Sequence, residues 1–594
     1  MRVLLVHPED SPTASEWSGS RWDLVVDLGW AGTSQYAVWS EKLGCPVRGL
    51  YSFSEWHGGV RRIREICHAG SDWLVDVEGI DWWELFAPTC FQGIYEFLLL
   101  SKIAGEIQSA ADVRATRPHG LADTLGRLLG VIVVPFIKRA RPVSAWVRRY
   151  TKALRTLTGE QVAGIALDKW DMDYRFRRLL RGRRRSSSSE QRVLLPSAYR
   201  NVSRVLCAYA SLLPDRRFLL VTTRDDGAIR DLPRHVDSVP LAAYAPVPRN
   251  KATEREITAM AGQWYALQRR LQQSKDPVIS YAVGLFPDFA RTLRVGMRIR
   301  DAWLEVLDRE RISSVLGGDE NNPYTRLPVL LARSRGVRTV NCSHGALDVN
   351  LLLRGICSDT YLAKGEMEKD YMVEQCGVPE ERIVLGAPPV EYSLARGKSR
   401  ATGDRIVFFS EPYELYSGRT ETLYRELLPG LCAIARQYER KVVLKLHPFE
   451  SVSARSRLVD RILTGDDRQL VEISIAAISE QLLRRIWFAL TVESSVAVEC
   501  ALAGIPCFLC GWFDLGTQCY GRHYEKFGAA RVLNSPSAIP NIPEMLDLQY
   551  PGADFRNRFY HPITQMELDG ILQSPPHGGL NPSDELCLRK KLDQ

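Results

Sequence analysis

Short apolar runs rich in β-branched residues alternate with helical segments along the chain, and this alternation constrains the fold more than any other feature. RVLLVH at 2–7, RFLLVTTR at 217–224 and RIVFFSEP at 405–412 are examples. Apolar runs of this length, bounded by turn residues and separated by helices, are typical of parallel strands that are covered on both faces. The sequence therefore predicts an α/β protein built on parallel sheets.

Two cycles of this alternation predict two doubly wound, Rossmann-like domains that face a cleft. We expect the N-terminal domain at residues 1–350 and the C-terminal domain at 351–540. The pattern between 114 and 191 is helical and basic, which indicates a helical insertion in the N-terminal half. The tail at 541–594 is Pro-rich and then polar, and we expect it to pack back on the N-terminal domain.

Composition is that of an ordinary globular protein, with 45% hydrophobic and 25% charged residues among 594. The longest apolar run, Leu129–Ile137, is shorter than the ~20 residues of a membrane span and contains Pro135. The opening MRVLLVHPEDSP lacks the features of a signal peptide and is typical of a strand. Thirteen scattered cysteines are most simply buried free thiols, so we expect a cytoplasmic protein.

The net charge of +8 is concentrated in one basic stretch, of which Arg175–Arg185 is the densest part. One interpretation is a solvated loop; the other is contact with an anionic membrane surface or a polyanionic acceptor, which would place the protein at the inner face of the membrane. No nucleic-acid-binding module is present, so nucleic acid is not an expected partner.

Metal and redox sites are not expected. The pair Cys507 and Cys510 forms one CxxC in a strand-like run, without the second pair that a structural zinc site needs. The acidic stretch DKWDMD at 168–173 lies in the helical region and is typical of a polar helix face. We therefore predict no metal and no cofactor.

Polar residues directly after predicted strands are the candidate site residues, because ligands of open parallel sheets bind beyond the carboxyl ends of the strands. Asp319 and Glu320 follow the glycines of VLGGDENN, where a carboxylate suits general-base chemistry or simply an acidic helix start. His344 follows the strand of NCSHG, with Gly345 permitting a tight turn.

The stretch KVVLKLHP ends a predicted strand at Pro448. Lys445 and His447 alternate with Leu446, so the two basic side chains share one face at the strand end. A lysine and a histidine in this position can face a phosphate group, and His447 can stabilise the charge that develops on a departing nucleotide.

The stretch ALTVESSVAVECALAGIPCF reads as a strand followed by a helix that begins near Ser494 and Ser495. Serines at a helix start either cap the helix or, with the free backbone N–H groups, bind an anion. Glu499 lies one turn further and is either a ribose ligand or part of the polar helix face.

These two stretches together resemble the C-terminal domain of bacterial glycosyltransferases of the two-Rossmann type called GT-B, in the group with an HP motif followed by an SS motif. That group includes sialyltransferases, polysialyltransferases and capsule Kdo transferases, which use CMP-activated sugars. The stretch at 358–389 resembles the entry into that domain. NCSHG resembles a turn of capsule and teichoic-acid polymer enzymes, including glycerophosphotransferases that use CDP-glycerol. The likeness covers about residues 310–515.

The resemblance implies a role for each matching residue. His447 would contact the donor phosphate and assist its departure, and Ser494 and Ser495 would bind that phosphate. Asp319 or Glu320 would deprotonate the acceptor hydroxyl, although DEN departs from the acidic-acidic-glycine pattern of the group.

The leading hypothesis is an inverting, metal-independent glycosyltransferase of surface-polysaccharide assembly that takes a nucleotide-sugar donor and a glycan or lipid-linked acceptor. Three alternatives stay open. A polyol-phosphate transferase using CDP-glycerol would favour His344 as the base, a UDP-sugar 2-epimerase would share the architecture, and a non-catalytic scaffold at the membrane would need no working base.

Overall fold

The computed structural model describes the chain except for residues 7–9, 11–13, 29–38, 51–60, 67–72, 138–189, 225–226, 230, 246–250, 286–288, 346, 348–354, 390–402, 412–419, 448–449, 477, 514–519, 547–557 and 577–594. The described strands form three sheets of five, seven and six strands. The strands within these sheets pair in parallel, and helices connect them. The predicted class, α/β with parallel Rossmann-like sheets, is confirmed.

The first sheet has the order β3-β2-β1-β4-β5. Its strands are β1 Arg2–Val6, β2 Leu24–Asp27, β3 Val47–Gly49, β4 Asp112–Ala115 and β5 Val134–Pro135, and the helices in this part of the chain include Ser15–Ser18, Phe91–Glu106 and Gly120–Leu129. The helical insertion predicted from residue 114 does not begin there, because β4 and β5 lie in the sheet. Residues 138–189, which hold the rest of that prediction and Arg175–Arg185, lie outside the described residues.

The second sheet has the order β12-β11-β10-β9-β6-β7-β8. Its strands are β6 Arg192–Ser197, β7 Arg217–Thr222, β8 Val236–Pro240, β9 Ile312–Gly317, β10 Arg338–Cys342, β11 Thr360–Ala363 and β12 Ile383–Leu385. The helices that belong with this sheet are Trp82–Phe86, Arg200–Ala210, Lys251–Gln272, Pro277–Gly284, Phe289–Arg309, Pro323–Ser334, Glu366–Glu374 and Gln565–Gln573. The boundary expected near residue 350 falls inside this sheet, since β10 pairs with β11.

Part of the C-terminal tail packs on the second sheet. Helix Gln565–Gln573 starts with a capping box between Thr564 and Glu567. Its Leu568 and Leu572 are buried in one core cluster with Val340 of β10. The tail thus adds an apolar layer to the sheet.

The third sheet has the order β15-β14-β13-β16-β17-β18. Its strands are β13 Arg405–Phe409, β14 Lys441–Lys445, β15 Val471–Ser474, β16 Ile486–Thr491, β17 Cys507–Cys510 and β18 Arg531–Leu533. The helices in this part are Thr420–Gln437, Val452–Ile462, Gly465–Gln469, Glu480–Leu483, Val496–Leu502, Tyr520–Lys526 and Ile542–Met545.

All three sheets share one strand order. Numbered within its own sheet, each runs 3-2-1-4-5, with further strands added beyond the fifth in the second and third sheets. The order reverses between β1 and β4, between β6 and β9, and between β13 and β16. Ligands of doubly wound sheets bind in the crevice at this reversal, beyond the carboxyl ends of the strands. The topology therefore specifies where a site is expected in each sheet.

The chain divides into two compact units. One comprises Met1–Arg62, Phe91–Gln161 and Leu394–Gly552, and the other comprises Ile63–Cys90, Val162–Ser393 and Ala553–Gln594. The first and third sheets belong to the former unit, and the second sheet belongs to the latter.

The stretch WLVDVEG at 73–79 has the apolar pattern of a strand, but in the structure it is a turn with one isolated bridge between Val75 and Asp81. Asp76 closes the turn by accepting the backbone N–H groups of Glu78 and Ile80, each at 2.9 Å. The buried guanidinium of Arg300 donates to Asp76 at 2.7 Å. A carboxylate that binds its own turn in this way competes with strand formation, which the apolar pattern alone did not reveal.

No helix among the described residues is long and apolar enough to cross a membrane.

Candidate functional site

The first cluster of predicted site residues lies at the carboxyl edge of the second sheet, at its topological reversal. Strand β9 ends at Gly317, and Gly318 follows. A Cβ on Gly318 would lie 2.9 Å from Cγ1 of Val202, so only glycine allows the helix after β6 to approach this closely. Gly318 therefore brings the end of β9 against the start of helix Arg200–Ala210.

Asp319 holds the turn after β9. Its Oδ1 accepts the backbone N–H of Asn321 at 3.0 Å and that of Asn322 at 3.2 Å. Asn322 in turn caps helix Pro323–Ser334 by accepting the N–H of Tyr324 at 2.9 Å, as the sequence predicts. One oxygen of Asp319 is thus occupied by the turn, and the residue is 8% exposed.

Glu320 is deeply buried and fully engaged. Its two oxygens accept the backbone N–H groups of Cys357 at 2.7 Å and Ser358 at 3.0 Å. The Arg326 guanidinium lies 3.5 Å from Oε2. With a side chain only 1% exposed, Glu320 ties the segment before β11 to the end of β9. This geometry is that of a structural carboxylate rather than of an exposed base.

His344 lies after β10, the strand adjacent to β9, and is partly exposed. Its Nδ1 is 2.9 Å from the carbonyl oxygen of Gly318. A carbonyl can only accept, so Nδ1 carries the proton and, in the neutral ring, Nε2 is the acceptor nitrogen. The hydrogen bond therefore fixes both the tautomer and the orientation of the imidazole, next to Asp319.

The turn that carries His344 is held from two sides. The hydroxyl of Ser343 donates to the carbonyl of Gly345 at 2.7 Å, and the Lys364 ammonium donates to the same oxygen at 2.8 Å. Lys364 follows β11, so three adjacent strand ends contribute to this cluster.

Glu368 lies beneath the same turn, in helix Glu366–Glu374. Its carboxylate accepts the backbone N–H of Lys364. Burial raises the pKa of its carboxyl group, while Lys364 opposes the rise. Glu368 thus anchors the residues that position His344.

The second cluster lies at the carboxyl edge of the third sheet. Val442, Leu444 and Leu446 pack into the core with helix Thr420–Gln437. Lys445 and His447 are therefore on the opposite face, as the alternation predicts.

The backbone of His447 is fixed by a buried carboxylate. Glu450 accepts the N–H of His447 at 2.7 Å through Oε2, and the Ser410 hydroxyl at 2.8 Å through Oε1. The Arg455 guanidinium donates twice to Oε1, at 3.0 and 2.6 Å. Burial, and secondly the Lys445 ammonium, lower the pKa of His447.

Lys445 is less available than the sequence suggests. The residue is 7% exposed, and its ammonium group donates to the carbonyl of Leu446 at 2.9 Å. Burial lowers its pKa, with Glu450 opposing the shift. Its charge acts on His447, whose pKa it lowers.

Ser494 and Ser495 follow β16 and are partly exposed. The Ser494 hydroxyl accepts the N–H of Val496 at a long 3.5 Å, and Ser495 makes no side-chain capping bond. Glu499 is partly buried in helix Val496–Leu502. The capping interpretation therefore accounts poorly for both serines.

The order of the third sheet brings the two serines and His447 to one edge. β14 and β16 both pair with β13, so His447 and Ser494 follow strands that are two positions apart. At about 4.8 Å per strand spacing, these strand ends are about 10 Å apart, which a nucleotide phosphate with its ribose can span. Ser410 lies between them, at the end of β13.

Metal ligands do not converge in the described part of the chain: no three His, Cys, Asp or Glu side chains lie together as a metal site requires. Cys507 and Cys510 are both buried in β17, and burial raises the pKa of Cys510. Such thiols are inert by the criteria that mark reactive cysteines.

Sequence reasoning missed Glu450, Arg455, Lys364 and Glu368. Glu450 lies three residues after His447 in HPFE, and an acidic residue there was the one available sign. Lys364 precedes helix Glu366–Glu374, and Glu368 lies in the first turn of that helix. Lys364 reaches the turn after β10 because β11 pairs with β10, and the local sequence does not show this pairing.

No protein-family model matches the sequence, and no curated protein matches it. Solved structures do. The UDP-GlcNAc 2-epimerase from Methanocaldococcus jannaschii is 12% identical over 64% of this chain and 99% of that chain, with a TM-score of 0.40. The UDP-GlcNAc 2-epimerase from Neisseria meningitidis bound to UDP-GlcNAc is 12% identical over 68% and 100%, with a TM-score of 0.37. The calicheamicin glycosyltransferase CalG4 is 13% identical over 68% and 99%, with a TM-score of 0.35. At such TM-scores the likeness carries no argument about fold or activity.

Proposed function

We propose that the chain is a glycosyltransferase that moves a sugar from a nucleotide-activated donor to a glycan or lipid-linked acceptor, without a metal. The third sheet binds the donor nucleotide, and the base for the acceptor is one of the three residues that the sequence predicts, Asp319, Glu320 or His344. A CMP-sugar donor follows from the resemblance of the HP and SS stretches.

The observation that carries the proposal is the arrangement at the reversal of the third sheet. Partly exposed Ser494 and Ser495 and the half-buried His447 lie on the edge where doubly wound sheets bind ligands. In the proposed complex the serine hydroxyls donate to the donor phosphate. His447 also donates, and it stabilises the negative charge that develops as the nucleotide departs.

For the acceptor, we assign the base to His344 in preference to Asp319 and Glu320. Glu320 has both oxygens on backbone N–H groups, and Asp319 has one oxygen on two of them. His344 is oriented by Gly318 with Nε2 as the acceptor nitrogen. In an inverting transfer Nε2 would take the proton of the acceptor hydroxyl as its oxygen attacks the anomeric carbon and the nucleotide leaves from the opposite face.

Isothermal titration of the full-length protein with CMP, UDP and CDP tests the donor site. We expect one nucleotide to bind and the double variant Ser494→Ala, Ser495→Ala to bind it at least about tenfold more weakly, because hydrogen bonds to a charged group are lost. Ser479→Ala is the matched control, since Ser479 caps helix Glu480–Leu483 by accepting the N–H of Leu482 at 3.2 Å. A parent protein that binds none of the three nucleotides would contradict the proposal and favour a scaffold.

The His344 geometry also favours a second candidate, polyol-phosphate transfer from CDP-glycerol, in which a neutral imidazole base serves attack on phosphorus. Donor turnover separates the two. Release of CMP from a CMP-sugar supports glycosyl transfer, and release of CMP from CDP-glycerol supports the alternative. Hydrolysis of a UDP-sugar to UDP without an acceptor would instead support a 2-epimerase.

A further inference from the structure

An exposed aliphatic turn follows helix Gly120–Leu129. Val131 exposes 37% of its surface, Ile132 89% and Val134 47%. Single exposed aliphatic residues are ordinary, but an exposed apolar run of this kind is not expected on a surface that meets only water. We name residues 131–134 the aliphatic turn.

The aliphatic turn is a built feature. Gly130 has a φ of 69°, a left-handed conformation that ends the helix and favours glycine. The N–H of Val131 then donates to the carbonyl of Gly126 at 2.9 Å. A Cβ on Gly126 would lie 2.9 Å from Cγ2 of Val133, so Val133 packs back against the helix. Its neighbours are thereby left on the outside.

An exposed arginine precedes the aliphatic turn, and a basic stretch follows it in the sequence. Arg127 is exposed in the last turn of the preceding helix. In the sequence, Lys138 comes four residues after Val134, so their Cα atoms are within about 14 Å whatever the path of the chain. Residues 138–185 contain fifteen Lys or Arg and four Asp or Glu, a net charge of +11 against +8 for the whole chain. The remainder of the chain is therefore net negative, and the positive charge begins directly after this turn.

We propose that the aliphatic turn inserts into the surface of an anionic lipid bilayer. Aliphatic side chains gain free energy by leaving water for the acyl boundary, and neighbouring Lys and Arg residues are attracted to anionic headgroups. Either contribution alone gives weak binding, whereas the two together hold a protein at a membrane. The proposal is independent of the proposed function, because it needs neither a donor nor a base.

Flotation of the full-length protein with vesicles tests the proposal. One set of vesicles contains phosphatidylcholine alone, and the other contains phosphatidylcholine with phosphatidylglycerol. We expect binding to the anionic vesicles that falls at high salt, and Ile132→Asp to bind them at least about tenfold more weakly, because an inserted isoleucine is replaced by a charge. Ile475→Asp is the matched control, since Ile475 is 58% exposed in the third-sheet region, and it should bind as the parent does.

A parent protein that does not float with anionic vesicles, or an Ile132→Asp variant that floats equally well, would overturn the proposal. If Ile132→Asp instead lowers the molar mass measured by light scattering, the aliphatic turn contacts a second copy of the chain, which also overturns it. Nucleotide titration of Ile132→Asp should match the parent, so failure here is distinguishable from failure of the proposed function.

Discussion

The second and third sheets have the same core strand order. At the carboxyl edge of each sheet, carboxylates have a structural role that the sequence does not suggest. In the second sheet Asp319 and Glu320 look like catalytic acids, and both hold backbone N–H groups. In the third sheet Glu450, three residues after His447, holds the backbone of that histidine. In both sheets a buried carboxylate fixes the loop after a strand, and a histidine is presented beside it.

The difference between the edges lies in what fixes each histidine. At the second sheet the imidazole itself is bonded, through Nδ1 to Gly318, which fixes the orientation of the ring and leaves Nε2 as the acceptor nitrogen of its neutral form. At the third sheet the backbone of His447 is bonded, and its pKa is lowered by burial and by Lys445. The first arrangement suits removal of a proton, and the second suits a group that gains charge when an anion arrives.

The largest expected effect is on catalysis by the second-sheet histidine. His344→Ala should lower kcat/KM by about 10²–10⁴-fold, the usual contribution of a general base, with nucleotide affinity unchanged. His235→Ala is the matched control, because His235 also bonds a backbone carbonyl, that of Ala210 at 2.9 Å, but lies at the amino edge of the same sheet. If Asp319→Asn abolishes transfer while His344→Ala does not, the base is Asp319 and the comparison fails.

The next effect is on stability at the third-sheet edge. Arg455→Met should lower the free energy of unfolding by about 3–5 kcal/mol, because it leaves the Glu450 carboxylate buried without its cation. Both side chains are at most 5% exposed. The exposed pair of Arg425 and Glu421 offers a control, and Arg425→Met should cost no more than about 0.5 kcal/mol. Equal losses for the two variants in urea unfolding would show that Glu450 does not need its partner.

The strand ends themselves could be predicted from the sequence. His447 and Lys445 share the face opposite Leu446, and the serines at 494–495 follow β16, because a buried strand has an unmistakable apolar pattern and a period of two. Strand order could not be predicted. Parallel neighbours are joined by long crossover connections, so no hairpin turn in the sequence marks which strands pair. The pairing of β11 with β10 and the separate sheet formed by strands within residues 1–135 were therefore not predictable.

The structural use of the carboxylates was equally hidden. Glu320 binds Cys357 and Ser358, 37 and 38 residues away. An acid that caps distant backbone groups and an acid that awaits a substrate have the same sequence pattern. Only the position of the backbone N–H groups separates the two cases.

A third effect concerns the proton balance of donor binding. The lowered pKa of His447 rises when a phosphate binds beside it, so binding takes up a proton. Nucleotide affinity should therefore fall by up to about tenfold per pH unit as pH rises between the free and bound pKa values. Titration in buffers of different ionisation enthalpy measures the proton uptake, which His447→Ala should abolish. Unchanged uptake in that variant would assign the proton to another group.

The smallest effect tests the anchor of the second-sheet histidine. Glu368 has its pKa raised by burial in the folded state, so its contribution to stability is fully present below the unfolded pKa of about 4.3 and is lost as pH rises through the folded pKa. Relative to Glu368→Gln, the parent should thus lose stability with rising pH, by at most about 1.4 kcal/mol per unit. Glu567 supplies a control of opposite sign, because its hydrogen bonds to Thr564 lower its pKa, and the parent should gain on Glu567→Gln as pH rises from the folded pKa of Glu567 to the unfolded pKa of about 4.3. Tm measured against pH for the three proteins decides the matter. Parallel curves for the parent and Glu368→Gln would mean that Glu368 titrates in the fold as it does in water, and the turn of His344 would then lack the buried anchor that distinguishes it from the loop of His447.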